Sequence, residues 1–414
     1  MGPDVIVVGA GAAGLACRRE LLRAGLRVVC LEARDRIGGR IYTIHDPRCG
    51  VPVELGAEFV HGLPPQIAPF AEWHRLHIEE TSGRMIDLSG SEEDGDRILE
   101  AVKRHDMAQP DESFAAFLAR SGSGEAEKAA ATGFVEGFNA ARKEEVSVAS
   151  LAKDMRAGDE IDGDRAFRIS EGYHALVRAL AGNTSDLRTN CEVAGIEWRP
   201  GECRVRLAAG EVLESRAVVV TVPLGVLLAS SIRFDPVPRE ALEAAGKLRF
   251  GNAVRVTLQF ERAFWEGDPE LDDPGFLFGN EPVFPVWWSR LPARVPILTG
   301  WSAGPKADVL MGLSAEEVAG RALETLRRLL GSKVPAVTAS WYHDWQADRY
   351  SRGAYSWVPA GALPARETLA RPVAETLYFA GEATDMLGYG GTVHGAMASG
   401  QRAARQIIEN GIGD

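Results

Sequence analysis

The chain has 414 residues, 45% of them hydrophobic and 25% charged, with a formal net charge of −12 at pH 7. That length exceeds one ordinary hydrophobic core and predicts two domains, while the acidic balance argues against nucleic acid as a partner. No apolar run reaches the roughly 18 residues of a membrane span, so no membrane is expected as a partner. The five cysteines (Cys17, Cys30, Cys49, Cys191, Cys203) are scattered, with no C-x-x-C pair. They predict free thiols in a reducing, cytoplasmic compartment and no metal site. With a first strand beginning at Asp4, no signal peptide is expected ahead of it.

The first predicted element is a βαβ unit. Asp4-Val-Ile-Val-Val-Gly-Ala-Gly-Ala-Ala-Gly-Leu15 reads as a buried strand, a glycine turn and a helix start. Gly9, Gly11 and Gly14 have the G-x-G-x-x-G spacing. The first permits a tight turn, the second lets backbone approach a pyrophosphate, and the third lets helix and strand pack closely. The helix N-terminus then offers free N–H groups and a favourable dipole to phosphates. Glu32 follows near the roughly 20 residues expected for an acid that binds a ribose hydroxyl. Ile37-Gly-Gly-Arg40 closes the unit.

From about Leu63 to Leu180 the pattern is mostly helical and polar, broken at Ser121-Gly-Ser-Gly124 and at Gly158-Asp-Glu-Ile-Asp-Gly163. From Leu187 the period changes. Cys191–Trp198, Cys203–Leu207 and Ala217–Val222 are predicted strands, the last buried on both faces. Val254–Phe260 alternates as a half-buried strand should, and Ala315–Leu330 has a helical period. Thr376–Gly381 is a short apolar strand ending in glycine. Val393–Ile408 is a final helix with alanine and glycine along one side. Strands that could join the first unit recur near residues 220 and 380, which predicts a nucleotide-binding domain assembled from separated segments.

Several of these stretches, in this order, resemble the flavin-containing amine oxidases: the monoamine oxidases, the polyamine oxidases and the lysine-specific histone demethylases. They are Val7–Arg40, Val53-Glu-Leu-Gly-Ala-Glu-Phe-Val-His-Gly62, Thr221–Leu227, Gly251–Phe260 with Phe264-Trp265, Arg352-Gly-Ala-Tyr-Ser356, Phe379–Thr384 and Gly391–Gly400. The resemblance implies an α/β fold class: a Rossmann-like FAD-binding domain built from residues 1–62, 181–235 and 371–414, with an inserted α+β substrate-binding domain from 63–180 and 236–370. It implies FAD, with Gly9, Gly11, Ala13 and Gly14 at the pyrophosphate and Glu32 and Ala33 at the ribose. Arg34, Gly38, Gly39 and Arg40 would wrap the cofactor, and the Val193 backbone would meet the adenine. Gly56, Ala57 and Glu58 would pass near the isoalloxazine, with Trp345 packed against it. Gly381 and Glu382 would approach the ribityl and phosphate region, and Thr392 and Val393 the flavin carbonyl. Monoamine oxidases tether FAD through a cysteine just before the tyrosine of the Arg352–Ser356 stretch. Alanine stands there (Ala354), so the FAD is expected to be non-covalent.

The implied reaction moves a hydride equivalent from the amine-bearing carbon to flavin N5. The imine hydrolyses, and oxygen or another acceptor takes the electrons. Tyr355 matches one aromatic wall for the amine. Thr392 takes the place of a second tyrosine of monoamine oxidases, leaving room for a longer or secondary amine, a polyamine included. His61 lines the substrate channel in the animal-type polyamine oxidases; its other reading is a satisfied structural histidine. Glu58 is read as facing the substrate amine or bonding backbone, and His394 as structural. Trp287, Trp288 and Trp301 either wall the cavity or fill the core. The main departure is Arg255 where the family has a lysine. Gly251-Asn252 and Phe260 fix the register, so Lys247 does not fill the slot. Arginine keeps its charge but releases no proton near neutral pH, which puts the oxygen reaction in question. The alternatives are an amine dehydrogenase with another electron acceptor, an L-amino-acid oxidase and a flavoprotein serving as an interaction module. The second lacks its expected arginine after Ala57.

Overall fold

A computed structural model of the protein describes residues 2–90 and 95–412; the last two residues of the expected C-terminal stretch lie outside them. Its centre is a five-stranded parallel sheet in the order Leu377–Phe379, Ala217–Val220, Val5–Val8, Val28–Leu31, Leu187–Arg188. Valine runs form its middle because parallel strands are covered on both faces. Val5, Ile6, Val7, Val218 and Val219 have no exposed surface. The strands expected near 220 and 380 thus join the N-terminal unit, through residues far apart in the chain.

Helices Ala12–Arg23 and Val393–Glu409 lie against each other on this sheet. Their approach depends on small residues. A Cβ on Gly400 would stand 2.1 Å from the Ala13 carbonyl oxygen, and one on Gly14 would stand 1.9 Å from that of Gly9. Gly9 itself has φ +104°, which a side chain would resist.

A second, six-stranded sheet runs Val337–Tyr342, Ala253–Phe260, Ile297–Ala303, Val286–Ser289, Pro274–Phe278, Arg84–Asp87. Helix Ala315–Leu330 begins at a capping box between Ser314 and Glu317, and it covers one face. Val254, Val256 and Leu258 bury beneath its Val318, Ala322 and Leu326. The strand expected to be half-buried is instead buried on both faces, with Arg255 at 5% and Thr257 at 4% exposure. The alternation is real, but its polar side meets partners rather than water: the Thr257 and Thr299 hydroxyls are 2.9 Å apart.

Between residues 63 and 180 the expected helices form, notably Phe114–Arg120, Glu125–Asn139 and Val148–Asp159, with both glycine breaks at helix ends. Among the described residues three strands interrupt them: Ile78–Glu80, Arg84–Asp87 and Ala166–Ile169. These short runs have no strong period of their own and become strands by pairing with distant partners. Arg84–Asp87, for example, runs parallel to Pro274–Phe278. No helix among the described residues is long and apolar enough to cross a membrane, and no group of metal-ligating side chains is found among them.

Candidate active site

A cavity of about 1860 Å³ runs from the glycine turn to the six-stranded sheet. Every residue expected at the cofactor lies on its wall except Gly14, whose place is against Gly9. At one end, Glu32 accepts the backbone N–H groups of Ala10 and Arg34, each at 2.9 Å. A carboxylate has about four acceptor positions, so two stay open. Arg34 is held by Asp348 at 2.8 Å and by Ser351. Further along, Arg40 donates to Glu382 at 3.0 Å. Glu382 also accepts from the Ser356 hydroxyl (2.6 Å) and the Gly391 N–H (3.0 Å). Thr392 caps the last helix, accepting from Gly395 N–H at 3.0 Å and donating to the Tyr389 carbonyl at 2.7 Å.

The other end is aromatic. Tyr355 donates to the Phe138 carbonyl at 2.8 Å, and burial pushes its phenol well above the usual range. His61 sits between Phe59 and Phe138, and burial pulls it down to about 4, so the ring is neutral at physiological pH. His394 packs on Tyr389; burial first, then His61, pulls it down to about 3. The three tryptophans divide. Trp287 is wholly buried core, with its indole on the Phe284 carbonyl, while Trp288 and Trp301 line the cavity. Adjacent strand residues point to opposite faces, which separates Trp287 from Trp288. Trp345 donates to the Leu55 carbonyl at 2.8 Å and packs beside Gly56, where a Cβ would stand 2.9 Å from its ring.

Glu58 bonds side chains and not the backbone, one of the two roles expected for it. Its carboxylate takes Arg168 Nε at 2.6 Å, Arg255 Nη2 at 2.5 Å and the Trp288 indole N–H at 3.1 Å, with Arg290 at 3.6 Å. Burial pushes this carboxyl up, but the guanidiniums of Arg168, Arg255 and Arg290 outweigh it and hold Glu58 at about 2. Arg255 also donates to the Gly56 carbonyl at 2.8 Å, and Arg168 to the carbonyls of Leu291 and Ser289. Of this cluster only Glu58 and Arg255 line the cavity; Arg168 and Arg290 stand outside the lining, so the excess positive charge is set back from the wall.

Residues 12–84 and 69–408 match the family described as flavin containing amine oxidoreductase. The chain belongs to this family. As a flavin-containing amine oxidoreductase it uses FAD and acts on amines. It is 30% identical to Polyamine oxidase 4 of Oryza sativa subsp. japonica, over 100% of this chain and 91% of the relative. Lysine-specific histone demethylase 1 homolog 2 of the same organism is 31% identical, over 99% of this chain and 57% of the relative. Among solved structures, a putrescine oxidase double mutant superposes with TM-score 0.84 at 25% identity, covering 98% of this chain and 99% of that one. Cyclohexylamine oxidase from Brevibacterium oxydans shares the fold with TM-score 0.85 at 21% identity, covering 99% of each chain.

The residues of this flavin-containing amine oxidoreductase fit FAD. A Cβ on Gly11 would meet no protein atom nearer than Gly39 Cα at 4.0 Å, so the turn leaves open space beside bare backbone, as a pyrophosphate requires. Glu32 keeps acceptor positions beyond its two backbone bonds where the resemblance implies a ribose, and the N-terminus of Val393–Glu409 opens into the far end. Lys247 ends helix Arg239–Lys247, and Arg255 faces the cavity, as the register implied. Arg168 and Arg290 escaped the sequence reading: they belong to no motif, and Arg168 stands 110 residues from Glu58. A buried acid inside the second motif was the one available hint that cations must gather there.

Proposed function

We propose that the protein oxidises a primary or secondary amine to an imine that hydrolyses, with molecular oxygen reduced to hydrogen peroxide. FAD, held without a covalent bond because Ala354 offers no thiol, supplies the hydride acceptor for the carbon bearing the nitrogen. Residues 1–62, 181–235 and 371–414 hold it, and the remainder shapes the amine chamber. The free state of all five cysteines supports a cytoplasmic location.

The observation that carries this reading is an aromatic chamber whose wall at Glu58 and Arg255 is backed by positive charge. Tyr355, Phe59, Phe138, Trp288 and Trp301 line this part of the cavity and offer ring faces to an amine. The Arg168–Glu58–Arg255–Arg290 cluster repels an ammonium at that wall, so the reacting nitrogen binds in its neutral form, with the lone pair that oxidation needs. Neutral His61 adds an acceptor without a charge. Thr392 leaves the side opposite Tyr355 open, which suits a secondary amine, and relatives named polyamine oxidases support that choice. Mixing the holoenzyme anaerobically with primary amines, polyamines and amino acids tests the reading. Amines are expected to bleach the flavin and air to restore it. Bleaching by amino acids alone, or by nothing, overturns it.

Arg255 favours a second reading, in which oxygen is a poor acceptor. Glu58 and the Gly56 carbonyl hold its guanidinium in place, and its planar fork sets donors differently from a lysine ammonium. Stopped-flow reoxidation by oxygen is expected to be slower in the wild type than in Arg255→Lys by about 100-fold, the scale of one positioned proton carrier. Equal, fast rates in both dismiss this reading.

A further inference from the structure

We propose that Arg168 is a positioning residue for the flavin site: acting through Glu58, it fixes the Arg255 guanidinium on the cavity wall and so sets how readily the bound flavin is reduced. This role rests on FAD filling the cavity with its isoalloxazine beside Gly56–Glu58, and not on which amine is oxidised.

Glu58 is a bridge with two ends. Its Oε1 accepts from Arg168 Nε at 2.6 Å, behind the cavity lining. Its Oε2 accepts from Arg255 Nη2 at 2.5 Å and from the Trp288 indole at 3.1 Å, both on the lining. Arg168 is itself anchored. It lies on strand Ala166–Ile169, which pairs with Val60–His61, two residues beyond Glu58. Its Nη1 and Nη2 donate to the carbonyls of Leu291 (3.1 Å) and Ser289 (2.9 Å), and its guanidinium lies over the Phe59 ring. Every nitrogen of that guanidinium is bonded. Arg290 differs: it stands 3.6 Å from Glu58 and makes no hydrogen bond to it.

An arginine in a lysine's place needs such a mount. Its donors form a rigid planar fork, so the tilt of the plane decides where they point. The Gly56 carbonyl takes an N–H from Nη1 and Glu58 one from Nη2, while Nε is buried without a partner. The second N–H on each terminal nitrogen is uncommitted at the cavity wall. Reduction adds negative charge to the isoalloxazine, and donors already aimed at that charge favour it. Charge alone reaches the ring from any arginine of the cluster. Aim comes only from the anchored chain of Arg168, Glu58 and Arg255.

The test measures the midpoint potential of the bound flavin by equilibration with a redox dye, on the FAD-loaded protein and with no amine present. Arg168→Lys keeps the charge, but one ammonium does not span Glu58 and both carbonyls. It is expected to disfavour reduction about tenfold, the scale of one charge-assisted hydrogen bond. For a two-electron couple that is a midpoint about 30 mV lower. Arg290→Lys is expected to leave the midpoint unchanged. Glu58→Asp keeps the charge on a bridge shortened by a methylene and is expected to lower the midpoint as Arg168→Lys does, so the result does not hang on one variant. Arg255→Lys shifts the midpoint by itself, and adding Arg168→Lys to it is expected to shift it no further, because no fork remains to be aimed. No shift in Arg168→Lys and Glu58→Asp, an equal shift in Arg290→Lys, or additive shifts in the double variant overturn this role and leave amine oxidation standing. Amines that fail to bleach the wild-type flavin overturn amine oxidation and leave the potentials as measured. Flavin content and Tm of each variant separate a change of potential from misfolding.

Discussion

Glu58→Ala lowers the unfolding free energy of the holoenzyme by about 3–5 kcal/mol, the cost of breaking a buried charge network by removing one partner. Glu58 is 6% exposed, and three guanidiniums converge on its carboxylate. Without it, Arg168 keeps the carbonyls of Leu291 and Ser289 and Arg255 keeps that of Gly56, but like charges face each other out of water. The Nε atoms of Arg255 and Arg290 already have no partner, so the cluster has little reserve. Urea unfolding followed by flavin fluorescence measures the loss; a change below about 1 kcal/mol, the scale of a surface pair, removes the cluster from its assigned weight. The pH dependence has a definite sign. Glu58 titrates lower in the folded protein than its ordinary value of 4.5, so its stabilisation is full above that value and is lost as pH falls toward about 2. Glu58→Gln lacks that acid-labile part, and its stability falls less steeply across the same window.

The second large effect separates two glycines of one turn. In Gly14→Ala the new methyl would stand 1.9 Å from the Gly9 carbonyl oxygen and 2.9 Å from the Thr221 hydroxyl. Helix Ala12–Arg23 must lift from its strand, which costs about 1–3 kcal/mol for overpacking and disturbs its contact with Val393–Glu409. Both Tm and flavin content are expected to drop. In Gly11→Ala the methyl meets only Gly39 Cα, at an unstrained 4.0 Å, so the flavin-free protein keeps its Tm while the methyl enters the space for the pyrophosphate. Flavin absorbance per chain and thermal unfolding with and without added FAD distinguish the two. An identical profile for both variants contradicts this division of roles.

The glycine turn, the valine strands and helix Ala315–Leu330 were legible in the sequence because each is written in a local pattern: fixed spacing, an unbroken apolar run, a 3.6-residue period. The same holds for the positions around the cofactor cavity, whose residues fall in contiguous stretches. Arg84–Asp87 was not legible, because its strand exists only through its pairing with Pro274–Phe278. Val254–Phe260 had the right period but the wrong exposure, since alternation tells which residues share a face and not what covers that face.

The sequence by itself determined a dinucleotide turn, a family, a cofactor and an arginine in a lysine's place. Only the tertiary structure decided what that arginine bonds, by bringing Arg168, Arg255 and Arg290 onto Glu58 from three other parts of the chain. It also set Trp288 and not Trp287 on the cavity wall. Charge balance and burial depend on distances between residues remote in sequence, and no local period records them.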